Sequence, residues 1–190
     1  MKNNYPIIMA DYDDTLTNPD LQDKLYTDYF SELSSSPEGR LDYMLVNDKN
    51  NNITYDDLIK FWRSPSKVYP SLDNTLALAR YAPVNKKIVN LINNFNPKQL
   101  WIVTGRPYRR DMLDMIKTNL EEHGLKNITS ITAVLNISKK IELAKVLNID
   151  LLIEDRIETI KQFQEANLSD IIMVKRPWNK KFKNNMIIEP

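Results

Sequence analysis

Apolar residues along the chain recur in two alternating patterns. Short unbroken apolar runs, which are typical of buried parallel strands, alternate with apolar positions three and four residues apart, which are typical of helices. The runs predict strands at residues 7–10, 100–103, 128–135, 151–153 and 171–174, and the spaced positions predict helices at 84–95, 112–120, 141–147 and 157–166. This alternation predicts an α/β fold with a doubly wound, Rossmann-like parallel sheet of about five strands.

The segment 18–82 differs from the rest of the chain in composition and in pattern. It is rich in Tyr, Asp, Asn and Ser and shows no long parallel-strand pattern. Helical patterns lie near 21–33 and 54–62. The sequence therefore predicts a core made of residues 1–17 and 83–190, with a small, mostly helical cap inserted after the first strand.

The composition restricts the chemistry that this chain can perform. It has no cysteine, which excludes disulfides, thiolate zinc sites and cysteine nucleophiles. His123 is the single histidine, so mechanisms that need several imidazoles are nearly excluded. Any hydrolytic reaction must therefore rely on carboxylates, lysines and hydroxyl groups.

Charge and hydropathy set limits on partners and location. The 26 basic and 25 acidic residues leave a formal net charge of +1, which gives no general attraction to nucleic acid or to an anionic membrane. The apolar run before Asp11 is too short for the core of a signal peptide, and no later run approaches membrane-spanning length. We expect a protein that works in the cytoplasm without a membrane partner.

Acidic residues crowd the end of the first predicted strand. Ligands of doubly wound sheets bind beyond the carboxyl ends of the strands, so the residues that follow each strand are candidates for a site. Asp11, Asp13 and Asp14 follow the first strand, and carboxylates this close repel one another unless a cation such as Mg²⁺ lies between them. One carboxylate could attack a substrate while another shuttles a proton. A solvated acidic turn is the alternative interpretation.

Two further segments carry groups that suit a phosphate. Thr104 and Gly105 follow the second strand and offer a hydroxyl group and a backbone that a phosphate oxygen can approach closely. Lys139 and Lys140 open a helix, where the helix dipole disfavours lysine unless an acidic cluster or a phosphate lies nearby. An ordinary strand-to-helix connection and a pair of surface lysines are the alternatives.

The strand at 151–153 ends in Glu154, Asp155 and Arg156. Two adjacent acids at the tip of an apolar strand are costly unless they are paired or bind a metal. We expect Asp155 to bind the metal directly and Glu154 to act through water or on Lys140. A salt bridge to Arg156 is the alternative.

Taken in order, these four sites resemble the four motifs of the haloacid dehalogenase-like (HAD) phosphatase superfamily. The matched residues are Asp11, Asp13 and Thr15 for the first motif, Thr104 for the second, Lys140 for the third, with Lys139 as the alternative, and Glu154 with Asp155 for the acidic fourth. The fourth motif departs from the commoner Asp-Asp form. The segment 18–82 falls where the family carries its first type of cap.

The resemblance implies a Mg²⁺-dependent phosphatase that works through an aspartyl-phosphate. Asp11 would be the nucleophile, and Asp13 the general acid and base. Mg²⁺ would be bound by Asp11, by the backbone carbonyl of Asp13 and by Asp155, with Glu154 as a further candidate ligand.

The same resemblance implies where the substrate is held. Thr104, Gly105 and Lys140 would bind the phosphoryl group. Further candidate contacts with the substrate are Arg106, Thr15, Trp62 and Lys139. Aromatic residues of the cap such as Trp62 could stack on a base, but they could equally form a small core.

Within the superfamily the chain is most similar to the 5′(3′)-deoxyribonucleotidase-like and bacterial nucleotidase group, through its size and through the segments 153–156 and 176–179. This implies a nucleoside monophosphate as substrate. One alternative is a polynucleotide 3′-phosphatase, which the near-zero net charge disfavours. Another is a non-catalytic metal-binding or nucleotide-binding module, which the presence of both Asp11 and Asp13 disfavours.

Overall fold

The structure of the protein, a computed structural model, describes residues 5–17, 79, 82–106, 108–176, 179, 181–183 and 186–188. The predicted cap at 18–82, with both of its predicted helices and Trp62, lies outside the described residues apart from Ala79 and Ala82.

The described strands form one parallel sheet. They are β1 (Ile7–Asp11), β2 (Gln99–Thr104), β3 (Ile128–Ala133), β4 (Leu151–Glu154), β5 (Asp170–Val174) and β6 (Ile187–Ile188). Their order across the sheet is β3-β2-β1-β4-β5-β6, so successive strands run outward from β1 to one edge and from β4 to the other. Ligands of open α/β sheets bind at such a change of direction, which here lies between β1 and β4.

The predicted fold class is confirmed, with six strands in the sheet instead of about five. The strand that the sequence did not predict is β6, which contains only two residues. An apolar pair is too short to show a strand pattern, and it becomes a strand only by pairing with Met173 and Val174 of β5.

Four described helices lie in the connections between the strands. They are α1 (Lys86–Phe95), α2 (Arg110–Glu122), α3 (Ile137–Leu147) and α4 (Ile157–Glu165). Asn136 begins α3 because its side chain accepts a hydrogen bond from the backbone N–H of Lys139 at 3.0 Å. Asn148 ends it with a left-handed backbone at φ 51°. Among the described residues, no helix is both long enough and apolar enough to cross a membrane.

Two buried clusters lie on opposite faces of the sheet. Ile8 and Ala10 of β1 belong to the cluster that includes residues of α1 and α2, whereas Met9 belongs to the cluster that includes Ala144 of α3 and residues of α4. Because side chains alternate along a strand, the residue after Ala10, Asp11, points to the face covered by α3. Leu152 is in the second cluster, so Glu154 points to the same face.

Candidate active site

The chain leaves β1 through a tight turn, Tyr12–Leu16, that carries the acidic residues. Asp14 lies in the left-handed region at φ 61°, a conformation that Asp adopts more readily than most residues. The Thr17 hydroxyl stabilises the turn, because it accepts a hydrogen bond from the Asp14 backbone N–H at 3.0 Å and donates one to the Tyr12 carbonyl at 3.4 Å.

Lys140 lies between two carboxylates at the change of direction in the sheet. Its Nζ donates to Asp11 Oδ1 and to Glu154 Oε2, each at 2.6 Å. The strand register explains why both carboxylates reach Lys140. Ala10 pairs with Ile153, so the next residues, Asp11 and Glu154, lie side by side. Burial alone would lower the pKa of Lys140, but the negative charges of Asp11 and Glu154 outweigh it and raise that pKa above its ordinary value.

Glu154 uses its second oxygen for the backbone of the next loop. Its Oε1 accepts hydrogen bonds from the backbone N–H groups of Asp155 at 3.1 Å and Arg156 at 3.0 Å. Both oxygens of Glu154 therefore have donors from the protein, and one of these donors is Lys140. The sequence predicted for Glu154 a contact with the metal, direct or through water, or a contact with Lys140, and this geometry favours the contact with Lys140. Arg156 pairs with Glu158 at 3.3 Å, which gives its side chain a partner other than Glu154.

Three carboxylates form a cluster that fits a divalent cation. One oxygen from each of Asp11, Glu154 and Asp155 lies within 4.8 Å of the others. The Thr15 hydroxyl, which is fully buried, donates to Asp155 Oδ1 at 2.9 Å and so fixes this carboxylate, although the sequence predicted a substrate contact for Thr15. A set made only of carboxylate oxygens suits Mg²⁺.

The charge balance of the cluster also fits a cation. Burial raises the pKa of Asp11 well above its usual value; Lys140 opposes the shift, and the charges of Glu154 and Asp155 add to it. Burial likewise raises the pKa of Asp155, with repulsion from Glu154 and Asp14 adding to the shift. Both carboxylates thus lack enough positive charge nearby to favour their ionised form, and a bound Mg²⁺ would supply it.

Asp13 is not one of the three clustered carboxylates, and its side chain contacts residues at the end of β2. Its Oδ2 accepts a hydrogen bond from the Thr104 hydroxyl at 2.9 Å. Its Oδ1 accepts two from Arg106, from Nε at 2.9 Å and from a terminal nitrogen at 2.7 Å. The structure thus brings Asp13, Thr104 and Arg106 together, with the Asp13 side chain as the acceptor of all three bonds.

The remaining candidates lie in different places. Gly105 is exposed, and a Cβ added there would meet no atom within 4 Å, so the packing of the described residues does not require a glycine. Lys139 lies on the exposed side of α3 and pairs with Glu142 at 2.6 Å, apart from the carboxylates that Lys140 contacts.

Two residues after β5 were given no role by the sequence, yet they hold both acidic loops. Arg176 is buried and donates to the carbonyl oxygens of Asp14 at 2.5 Å and Thr17 at 2.9 Å. Asn179 is fully buried and donates to the carbonyl oxygen of Asp155 at 2.7 Å, while its own oxygen accepts the Arg176 backbone N–H at 2.9 Å. The rule that candidates follow the strands, applied to the predicted strand at 171–174, would have pointed to them.

Mg²⁺ is expected to stabilise the protein more at about pH 8 than at about pH 5, as measured by the midpoint of thermal unfolding with Mg²⁺ and with EDTA. The raised pKa values of Asp11 and Asp155 add stability to the metal-free protein at low pH. This stability is lost as the pH rises from the pKa that these carboxyl groups have in the unfolded chain through the higher pKa that they have in the folded protein. A bound Mg²⁺ would need the ionised carboxylates, so it should restore stability at the higher pH, where protons no longer compete.

The matched variant for this experiment is Asp155→Asn, which should lose most of the Mg²⁺-dependent shift at the higher pH. A Mg²⁺ shift that is equal at both pH values, or unchanged in Asp155→Asn, would show that the ion binds elsewhere.

Comparison with known proteins gives matches only at the level of structure. No protein-family model matches the sequence, and no curated protein matches it. YfnB from Bacillus subtilis, described as a HAD-hydrolase and solved with bound magnesium, has 16% sequence identity and a TM-score of 0.59, and the match covers 97% of this chain and 94% of YfnB.

Two further solved structures have the same fold. CbbY from Rhodobacter sphaeroides, solved in complex with phosphate, has 12% identity and a TM-score of 0.53, with 97% of this chain and 93% of CbbY covered. A phosphoserine phosphohydrolase-like protein from Francisella tularensis has 16% identity and a TM-score of 0.53, with 96% of this chain and 94% of that protein covered. Likeness at such identity establishes a fold and not an activity, so the chain shares its fold with these three proteins.

Proposed function

We propose that this protein is a Mg²⁺-dependent phosphomonoester hydrolase that forms an aspartyl-phosphate on Asp11 and acts on nucleoside monophosphates. One observation carries the proposal, which is that groups suited to this reaction converge at one edge of the sheet from distant parts of the chain. These groups are Asp11, Asp13, Thr104, Lys140 and Asp155. The fold that the chain shares with YfnB, CbbY and the phosphoserine phosphohydrolase-like protein supports the assignment as a phosphomonoester hydrolase.

Asp11 and Asp155 would hold the Mg²⁺, together with the backbone carbonyl of Asp13 that the family resemblance implies. When bound, Mg²⁺ offsets the charge of the phosphoryl oxygens. Glu154, which has protein donors on both oxygens, would keep Lys140 in place.

In the first half of the reaction, a carboxylate oxygen of Asp11 attacks phosphorus, and the bond from phosphorus to the leaving oxygen breaks. Asp13, in its protonated form, gives its proton to that leaving oxygen. Lys140 is cationic and lies 2.6 Å from Asp11, so it is placed to offset the charge that develops on the phosphoryl oxygens. The Thr104 hydroxyl donates its one proton to Asp13 Oδ2 in this structure, so it would become a donor to the phosphoryl group only by turning away from Asp13.

In the second half, water attacks the phosphorus of the aspartyl-phosphate, and the Asp13 carboxylate takes a proton from that water. The bond between phosphorus and the Asp11 oxygen breaks, inorganic phosphate leaves, and both aspartates return to their starting states. The substrate assignment rests on the nucleotidase resemblance of the segments 153–156 and 176–179, and the cytoplasmic location stays a prediction of the sequence.

The purified protein should hydrolyse p-nitrophenyl phosphate with Mg²⁺ and lose this activity in EDTA. Among natural esters, nucleoside monophosphates should be turned over faster than a 3′-phosphorylated oligonucleotide, as measured by phosphate release. If no monoester is turned over in the presence of Mg²⁺, the proposal that the protein is a phosphatase is wrong, and a non-catalytic binding module is favoured. A preference for the oligonucleotide would overturn the substrate assignment alone.

A further inference from the structure

We propose that Arg106, a candidate contact with the substrate in the sequence, is instead the positioning residue that holds the Asp13 carboxylate for proton transfer. The proposal rests on the acid and base role assigned to Asp13 above.

Arg106 and Thr104 together hold both oxygens of Asp13. Arg106 reaches Oδ1 with two donors, at 2.9 and 2.7 Å, and the Thr104 hydroxyl reaches Oδ2 at 2.9 Å. Contacts at both oxygens fix the rotation of the carboxyl group as well as its position. Proton transfer to a leaving oxygen is efficient only when the acid lies within hydrogen-bond reach in a set orientation.

Arg106 is itself held by the protein. Its guanidinium lies over the ring of Tyr12, 5.2 Å from the ring centroid, and its backbone N–H donates to the Thr104 hydroxyl at 3.2 Å. Tyr12 is fully buried, and its hydroxyl donates to the carbonyl oxygen of Ala79 at 3.3 Å. The Arg106 side chain is only 14% exposed. The orientation of the guanidinium is therefore set by the same turn that carries Asp13.

The side-chain chemistry also favours this role. A guanidinium is planar and presents several donors in a rigid fork, whereas a lysine ammonium is a compact charge without such a fork. At Arg106 the fork directs two donors at Asp13 Oδ1, and the guanidinium carbon lies over the Tyr12 ring, 5.2 Å from its centroid. A residue that served only to attract a phosphate would need neither contact.

The leaving group of the substrate separates the two roles. p-Nitrophenolate leaves without a proton, whereas the alkoxide of a nucleoside 5′-monophosphate needs one from Asp13. A residue that positions Asp13 therefore matters for the second substrate and little for the first. A residue that binds the phosphate matters equally for both, because both carry the same phosphoryl group.

The test compares kcat/KM of Arg106→Gln on these two substrates. The value of kcat/KM reports only the steps up to phosphoryl transfer to Asp11, so it does not include the later step in which Asp13 acts as a base. We expect a loss of about 10- to 100-fold on the nucleoside 5′-monophosphate, less than about threefold on p-nitrophenyl phosphate, and a nearly unchanged KM for both. Arg106→Lys, which keeps the charge without the fork, should show the same substrate dependence with a smaller loss.

The matched control is Arg110→Gln, which removes one positive charge from an exposed position at the start of α2 and should leave both kcat/KM values unchanged. Equal losses on both substrates with a raised KM would assign Arg106 to the phosphate and overturn the proposal. So would unchanged values on both substrates in a folded Arg106→Gln. A wild-type protein that turns over neither substrate would instead overturn the phosphatase assignment, and the role of Arg106 with it.

Discussion

Replacing Asp11 with Asn is expected to lower kcat/KM on any phosphate monoester by roughly four orders of magnitude or more. The amide cannot attack phosphorus, and it also removes the negative charge that faces Lys140 at 2.6 Å. Steady-state phosphate release measures the loss. Acid quenching during turnover of a labelled substrate should leave label on the wild-type protein and none on Asp11→Asn.

The matched control for this variant is Asp14→Asn. It makes the same chemical change three residues further along, at a position whose left-handed backbone at φ 61° Asn adopts readily. Asp14→Asn should stay within about threefold of wild type, since removing one charge outside the proposed reaction has a small effect. Retained activity in Asp11→Asn, or labelled protein after the quench, would show that another residue is the nucleophile.

Replacing Lys140 with Met is expected to have the second-largest effect, about 10²- to 10³-fold in kcat/KM. Methionine fills a similar volume but leaves Asp11 and Glu154 facing each other without the cation that now lies 2.6 Å from each. Removing one partner from a buried ion pair costs about 3–5 kcal/mol, so a fall in the free energy of unfolding should accompany the loss of activity. Urea unfolding with and without Mg²⁺ measures it, and Mg²⁺ should reduce the fall.

Lys139→Met is the control, because it makes the same substitution one residue earlier. Lys139 is 58% exposed and pairs with Glu142 at the surface, so its loss should change the stability by less than about 1 kcal/mol. Its activity should remain near that of wild type. The reverse pattern, with Lys139→Met inactive and Lys140→Met active, would contradict the placement of Lys140 between the two carboxylates.

The fold was predictable from the sequence because its signals are local. A buried parallel strand needs a continuous apolar run, and a helix that covers a sheet needs apolar positions on one side, so both leave a pattern within about ten residues. The strand ends could be located in the same way, and with them the acidic residues Asp11, Asp13 and Asp155. The two-residue strand β6 had no such pattern, since only its pairing with β5 makes it a strand.

By itself, then, the sequence determined the alternation of strands and helices and the kind of chemistry at the strand ends. Only the tertiary structure decided which side chains meet there. Lys139 and Lys140 differ by about 100° around α3, so the packing of that helix against the face that carries Asp11 and Glu154 selects Lys140. Loop conformation likewise places Arg106 against Asp13. A contact between residues so distant along the chain depends on the path of two separate loops, so it leaves no local pattern in the sequence.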